Sequence, residues 1–425
     1  MNKSTFNIAV IGLGYVGLPL AQLFLSKGHH VYGIDVDDSK IQKLLQHQSY
    51  LSDFSAKEIR LMFADGLFQV NSDFAGVQHA DAIIICVPTP LDRDSQPDLT
   101  YVKKAMEAVL PHLHKGQLIV LESSTYPGTT EEILQPMLEA KGLVVGEEIH
   151  LAYSPERIDP GPQQTALHAI PKVLGGVTKQ CTAFAQQVYE SIFDQVVVVS
   201  SPRVAEFTKI LENCQRLINI SFINELTVLC EKMNINLWEA IDAASTKPYG
   251  FTPYYPGPGI GGHCIPVDPL YLLWKAKQYG YDLTFIDLAH KVNRFMPNYV
   301  VQKVSQSLSA RKALNKSNVL VLGVTYKKDV NDMRESTAIP IMEKLSQLGV
   351  RISYSDPYIP EVTVGRTKLQ SIPLTKRNIQ QHDCVLILSD HSSVPYEQLP
   401  SVSNLIIDTR NATKHVKDRS KIILI

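Results

Sequence analysis

Paired cysteine spacing is missing from this chain. Its six cysteines, at 86, 181, 214, 230, 264 and 384, stand apart, so neither a disulfide framework nor a zinc cluster fits, and no metal is expected. Long apolar runs are missing as well. The longest, such as Ala82 to Val87 and Val319 to Leu322, are strand-sized rather than membrane-spanning. Met1 to Asn7 is short and polar and a strand-like run follows at once, so no signal peptide is read there. Excess charge of one sign is also lacking. Lys plus Arg is 41, Asp plus Glu is 42, and the net charge is −1. That balance gives no electrostatic reason to expect nucleic acid or an anionic membrane as partner, although a basic pocket for one phosphorylated small molecule is compatible with it. A cytoplasmic protein is expected.

What is present is a long chain with ample core. At about 150 residues per domain, 425 residues suggest two to three domains, and 44% apolar with 20% charged residues excludes disorder. The N-terminal part alternates short apolar runs with amphipathic segments. Asn7 to Gly12, His30 to Asp35, Ala82 to Pro88 and Gln117 to Glu122 are expected as buried parallel strands, with Gly17 to Lys27 as the first crossover helix. From Pro202 to about Asn234 neither Pro nor Gly recurs, and apolar Ile210, Leu217, Phe222 and Leu226 are spaced for one long helix, long enough to bridge domains or pack in a dimer. Pro248 to Pro269, dense in Pro, Gly and Tyr, is expected to be irregular. Near Lys316 the strand-then-glycine opening recurs in Asn318 to Gly323, and Arg351 to Asp356 repeats a second strand ending in an acid. Cys384 to Leu388 and Leu405 to Asp408 supply further strands. The expected fold class is α/β, with two Rossmann-like doubly wound domains joined by a long central helix. The expected division is 1–200, 201–300 and 301–425.

Ile8 to Gly17 is a strand running into G-x-G-x-x-G. Gly12 permits the tight turn, Gly14 lets backbone approach a pyrophosphate, and Gly17 lets helix and strand pack closely. The second strand ends at Asp35, where an acid accepts from both ribose hydroxyls of an adenosine and repels a 2′-phosphate. That favours NAD over NADP, with Lys40 nearby softening the preference. The alternative is a structural turn with Asp35 as a solvated strand end.

Pro256 to Asp268, PGPGIGGHCIPVD, surrounds one thiol with glycine and proline. Cys264 there is either a nucleophile approached closely by a ligand or an inert packing residue, and Asp268 is placed to position a water or hold a base. On the long helix Lys209, Asn213 and Arg216 are spaced i, i+4, i+7, a face suited to a diphosphate and a developing oxyanion, or else a solvated polar face. Ser123 to Gly128 and Tyr153 to Arg157 fall at carboxyl ends of strands, where open α/β sheets bind ligands.

These motifs in this order resemble the UDP-glucose/GDP-mannose dehydrogenase family: GLGYVGLP (12–19), VPTP (87–90), SSTYPGTTEE (123–132), YSPER (153–157), GGHCIPVDP (261–269) and TYKKDVNDMRES (325–336). The resemblance runs from Ile8 to about Ala412. It implies oxidation of the C6 hydroxyl of a nucleotide sugar to a carboxylate with two NAD+, by way of a thiohemiacetal and a thioester on Cys264. It assigns alkoxide and oxyanion stabilisation to Lys209 with Asn213, support of proton transfer to Asp268, and organisation of a water to Thr125 and Glu156. For NAD it implies Gly12, Gly14, Tyr15, Val16, Gly17, Asp35, Lys40, Thr89, Thr125 and Arg334. For a UDP-sugar it implies Arg157, Lys209, Asn213, Arg216, Tyr255, Gly259, Gly261, Lys327 and Arg410. It also implies a homodimer joined through the central helix. The UDP-glucose branch carries a second Glu four residues after the one matching Glu156, where this chain has Pro160. That form, with His263, resembles the N-acetylhexosamine branch, and Ile158 to Gly161 with the PGPGIGGHCIP loop lean toward UDP-N-acetylglucosamine over the manno epimer. The rival activities are UDP-N-acetylmannosamine or UDP-glucose oxidation, or a two-electron dehydrogenase of the β-hydroxyacid type with Cys264 as bystander.

Overall fold

The computed structural model describes residues 5–51, 54–157 and 165–425. By contact the chain divides into two units. The first holds Met1–Glu212 and Leu270–Tyr281, and the second Asn213–Pro269 and Asp282–Ile425.

The first unit is built on eight strands: β1 (Asn7–Ile11), β2 (His30–Ile34), β3 (Phe68–Asn71), β4 (Ala82–Ile85), β5 (Leu118–Leu121), β6 (His150–Tyr153), β7 (Lys172–Gly176) and β8 (Val196–Val198). They lie in the order β3-β2-β1-β4-β5-β6-β7-β8, and every pair is parallel except β6 with β7. The first six reproduce the doubly wound order whose reversal point, beside β1, binds dinucleotides in such folds. Both faces of the central strands are covered: Ile8, Val10, Ile84 and Val120 join one apolar cluster, while Ala9, Ile11, Ile83 and Ile119 are buried on the other side. That is why these strands read as unbroken apolar runs. The strand expected to reach Pro88 stops at Ile85. Pro88 and Pro90 have no N–H to give, so the ladder cannot continue through them.

The second unit holds a parallel five-stranded sheet, β10-β9-β13-β14-β15, formed by β9 (Asn318–Leu322), β10 (Arg351–Ser355), β13 (Cys384–Ile387), β14 (Ile406–Asp408) and β15 (Ile422–Leu424). A hairpin of β11 (Glu361–Val364) and β12 (Thr367–Gln370) forms a separate ladder whose Val362 and Val364 pack into the same core. Alternate residues of β9 and β13 enter opposite clusters, Val319, Val321, Cys384 and Leu386 on one face and Leu320, Leu322, Val385 and Ile387 on the other.

The long helix spans Pro202–Lys232, 31 residues, as its unbroken pattern predicts. Ile210 and Leu217 are buried on it, but Phe222, expected on the same stripe, is 56% exposed. Residue 222 is five beyond 217, about 140° round an α-helix, so it turns away from Leu217. Pro248 to Pro269 is irregular only as far as residue 263. A 15-residue helix begins at Cys264 and contains Pro269. Pro266 falls in the first turn, where an N–H has no intrahelical acceptor, so it costs that helix nothing.

Truncating Ile84, fully buried in the centre of the first sheet, should cost about 2–5 kcal/mol. Urea denaturation of Ile84→Ala measures it.

Candidate functional site

In the first unit the three glycines of the β1 turn do different work. A Cβ on Gly12, whose φ is +92°, would lie 2.7 Å from the Cys86 carbonyl oxygen, and one on Gly17 would lie 1.9 Å from the Gly12 oxygen. Both positions are closed by the protein itself. At Gly14 a Cβ would meet nothing within 4 Å. The turn is therefore open at the position expected to face a pyrophosphate, and Tyr15 and Val16 beside it are half-buried against the core. Asp35 is buried at the end of β2. Its Oδ2 accepts from the Leu13 N–H at 2.9 Å and from Lys40 Nζ at 2.9 Å, and its Oδ1 accepts from the Asp37 N–H at 3.0 Å. Asp35 thus braces the turn as well as ending the strand, and Lys40 is its partner.

Thr125 is buried in the loop after β5, with its hydroxyl 2.5 Å from that of Thr129. The same loop is clasped by Glu206 in the first turns of the long helix. Glu206 has no exposed surface. It accepts from the Gly128 N–H at 2.5 Å, the Thr130 N–H at 2.8 Å and the Thr130 hydroxyl at 2.7 Å. Burial outweighs these bonds and raises its carboxyl to about 7. Three residues on, Lys209 donates to the carbonyl of Glu156 in the loop after β6. Arg157 forks to Glu212 at 2.7 Å and donates to the Pro171 carbonyl at 2.9 Å. Thr89 is buried, and its carbonyl accepts from the Tyr271 hydroxyl. So the first unit gathers Thr125, Glu156 and Lys209 around one helix start.

Beneath them lies a buried ion pair that no motif announces. Lys172 on β7 donates to Glu122 at 2.7 Å and to the Pro155 carbonyl at 3.4 Å, and the Tyr189 hydroxyl donates to the other Glu122 oxygen. Its members are 17 to 67 residues apart in the chain, so spacing carries no signal for it.

In the second unit Cys264 is the first residue of its helix and half-buried. The positive end of the helix dipole favours an anion there. Asp268, one turn on and fully buried, accepts from Asn213 Nδ2 at 2.7 Å. Burial and the Asp268 charge push the neighbouring thiol, Cys214, up to about 12, which keeps it protonated. The glycines before Cys264 are packed against protein. A Cβ on Gly257 would lie 2.8 Å from Arg410, one on Gly259 2.9 Å from Thr337, and one on Gly261 2.6 Å from the Glu335 carbonyl. Their smallness serves close packing of the loop, whose backbone is held by Asn224 at 3.0 Å and Asn293 at 2.6 Å.

A cavity of about 590 Å³ in this unit is bounded by Trp238, Tyr255, Lys328, Arg410 and Lys414, with Asp242 and Asp390 at its wall. The rings of Trp238 and Tyr255 stack at 5.3 Å and 17°, and the Tyr255 hydroxyl donates to Asp242 at 2.9 Å. Trp238 and Lys328 were missed in the sequence, Trp238 because it stands far from any motif. Lys327 bends its carbonyl back to the Thr325 hydroxyl at 2.8 Å. Arg334 forks onto Asp332 at 2.6 and 2.9 Å, and Arg216 is exposed. The structure brings Tyr255 and Arg410 to one cavity and does not bring Lys327 to its wall. Ile158 to Gly161 lie outside the described residues. Among the described residues no three His, Cys, Asp or Glu side chains are grouped to hold a metal, and no helix is long and apolar enough to cross a membrane.

The strand order, the open glycine turn and the acid ending β2 define the first unit as a dinucleotide-binding module of the dehydrogenase type. Three domain models cover nearly the whole chain: the NAD binding domain of the UDP-glucose/GDP-mannose dehydrogenase family over residues 6–193, its central domain over 203–295 and its UDP binding domain over 320–415. A UDP-N-acetyl-D-mannosamine dehydrogenase of Methanococcus vannielii is 33% identical, over 96% of this chain and 93% of that protein. A UDP-N-acetyl-D-glucosamine 6-dehydrogenase of Pseudomonas aeruginosa is 37% identical over 83% of each. The solved UDP-D-ManNAc dehydrogenase of Pyrococcus horikoshii superposes with a TM-score of 0.88 at 30% identity, covering 98% of both chains. The chain belongs to the UDP-glucose/GDP-mannose dehydrogenase family. It is an NAD-binding oxidoreductase of nucleotide sugars.

Removing the Lys172 ammonium strands Glu122 in the core. Lys172→Met should therefore cost about 3–5 kcal/mol, and adding Glu122→Gln should recover part of it, by thermal unfolding. Glu206 carries a pH signature. Its folded value, about 7, lies above its ordinary 4.5, so its contribution to stability is full below 4.5 and is lost as pH rises through 7. The stability of the wild type relative to Glu206→Gln should shrink across that window and level off above it. Denaturation midpoints at a series of pH values measure this.

Proposed function

We propose that the chain is a UDP-N-acetylglucosamine 6-dehydrogenase that oxidises C6 from alcohol to carboxylate through a thioester on Cys264. The observation that carries this reading is Cys264 opening a helix whose next turn presents Asp268, hydrogen-bonded to Asn213. Packing alone has no use for a half-buried thiol at a helix N-terminus beside a buried acid–amide pair.

Gly12, Gly14, Tyr15, Val16, Gly17, Asp35, Lys40, Thr89, Thr125 and Arg334 hold the cofactor in this reading. Bound NAD supplies the hydride acceptor for each of two oxidations. Lys209 and Asn213 stabilise negative charge on the C6 oxygen, and Thr125 with Glu156 hold the water that first takes a proton. The Cys264 thiolate adds to the aldehyde carbon, which retains the intermediate covalently as a thiohemiacetal. After the second oxidation that water attacks the thioester, the C–S bond breaks, and the acid leaves with the thiol restored. Asp268 supports these proton movements. One alcohol and one water thus yield one carboxylate and two reduced cofactors.

The cavity of about 590 Å³ suits the nucleotide end of such a substrate. Trp238 and Tyr255 offer aromatic faces for a base, and Lys328 and Arg410 offer charge for a diphosphate. Arg157, Arg216, Lys327, Gly259 and Gly261 complete the substrate set. In this reading 1–200 binds NAD, 201–300 supplies the central helix, and 301–425 binds UDP-sugar. The chain works as a cytoplasmic homodimer. Phe222, Leu229, Met233 and Phe295 are exposed on or beside the long helix, next to an apolar groove of about 420 Å³, and a second copy covers them. The gluco assignment rests on the loop before Cys264. The manno relatives at 33% and 30% identity favour the epimer as second reading.

Exhaustive turnover should yield two NADH per UDP-N-acetylglucosamine, with steady-state turnover abolished in Cys264→Ala. One NADH, or a fully active variant, moves the reading to a two-electron dehydrogenase. Preferential turnover of UDP-N-acetylmannosamine in the same assay overturns the gluco assignment alone.

A further inference from the structure

The opening turns of the two parallel sheets are built alike up to one point. In the first unit the Gly12 N–H donates to the Ile34 carbonyl at 2.7 Å, and the Leu13 N–H donates to Asp35. In the second unit the Gly323 N–H donates to Ser355 at 3.0 Å, and the Val324 N–H donates to Asp356 Oδ2 at 2.7 Å. Asp356 thus occupies the place of Asp35, but its surroundings differ. Gly323 is closed as Gly12 is, but the place of Gly14 is taken by Thr325, which is buried with its hydroxyl 3.4 Å from Ser389 Oγ and 3.4 Å from His391 Nε2, so the segment after β13 fills the turn. The acid is capped from the same segment by His391, which has no exposed surface. The two meet through Nε2 and Oδ2 at 3.0 Å. The Tyr358 and Ile359 N–H groups take the other Asp356 oxygen at 2.8 and 3.1 Å. Burial pushes this carboxyl up, but the bonds from His391 and Val324 outweigh it and hold it below the usual carboxylate value.

The other ring nitrogen does something the first unit has no counterpart for. His391 Nδ1 accepts the Asp329 N–H at 3.0 Å. An N–H donor aimed at Nδ1 meets a lone pair there, which leaves Nε2 as the nitrogen that donates to Asp356. Asp329 needs an outside hold, because its φ is +58° and it is not glycine. Its carboxylate is gripped by the Ser392 N–H at 2.8 Å and the Ser392 hydroxyl at 2.5 Å. The residue before it, Lys328, is exposed to the cavity that Arg410 and Tyr255 also line.

We propose that Asp356 and His391 are a positioning pair that sets the 325–330 loop, and with it Lys328, to receive the diphosphate of the nucleotide sugar. This rests on the reading of that cavity as the nucleotide site. An acid at the dinucleotide position of the second sheet is thereby turned inward, from binding a ribose to orienting a histidine.

The test uses the full chain, with UDP as probe by titration calorimetry and with steady-state kinetics. His391→Leu removes the acceptor for the Asp329 N–H. Asp356→Asn offers an amide N–H to Nε2 and drives the ring proton to Nδ1, against that same N–H. Both should weaken UDP binding and raise KM for the nucleotide sugar about ten- to a hundredfold, with KM for NAD unchanged. His391→Asn, whose amide oxygen can stand in for Nδ1 and whose amide N–H faces Asp356, should recover most of the loss, and it keeps the test open should His391→Leu fail to fold. UDP affinity in folded His391→Leu equal to wild type overturns the pairing, as does equal loss toward NAD and sugar. An asparagine variant no better than the leucine one overturns it too. Wild type that binds no UDP overturns the nucleotide reading of the cavity, and the pairing with it.

Discussion

A carboxylate with no exposed surface, Glu206, takes three hydrogen bonds from the turn that follows β5. Desolvating that group is expensive, and only donors held in place can offset the cost. The turn must therefore keep its shape, including the left-handed Gly128, where a Cβ would strike Glu132. Thr125 stands in the same turn, and Lys209 follows Glu206 by three residues, so one buried acid sets the register between a sheet edge and a helix. Lys209 then reaches the Glu156 carbonyl, and Lys172 supports the adjacent Pro155 carbonyl from below. The positions assigned to chemistry in this unit are bounded by charges buried on purpose-built partners.

The second unit uses the same economy at a different place. Its glycine-led turn has lost the open position that Gly14 retains, because Thr325 stands there against Ser389 and His391. A parallel sheet that had one nucleotide-binding edge to offer has instead used its acid to hold a loop. That agrees with a match to a UDP binding domain rather than to a second dinucleotide domain.

Much of this was legible in the chain. The glycine fingerprint, the acid at Asp35, the long helix from Pro202 and the strand-like runs of both sheets depend on local pattern, and local pattern is what a sequence displays. Where reading failed, a neighbour was the reason. Phe222 has helical spacing and apolar character, yet more than half of it is exposed. Pro266 and Pro269 fall in a stretch that reads as irregular, but Pro266 stands where no donor is needed, and Pro269 lies within a helix of 15 residues. The glycines at 257, 259 and 261 also admit Arg410, Thr337 and the Glu335 carbonyl, neighbours that the sequence does not display.

By itself the sequence determined the class of chemistry: a dinucleotide turn, a thiol in a glycine-rich loop, and a lysine and an amide one turn apart on a helix. Those are choices of residue type at short spacing, and short spacing survives without a fold. Only tertiary structure decided which charges are internal. Glu122 with Lys172, Glu206 with the Thr130 backbone, and His391 with Asp356 join residues 35 to 76 positions apart. Their ordinary members, a Glu or a His among many, acquire a role only when burial removes water as the alternative partner.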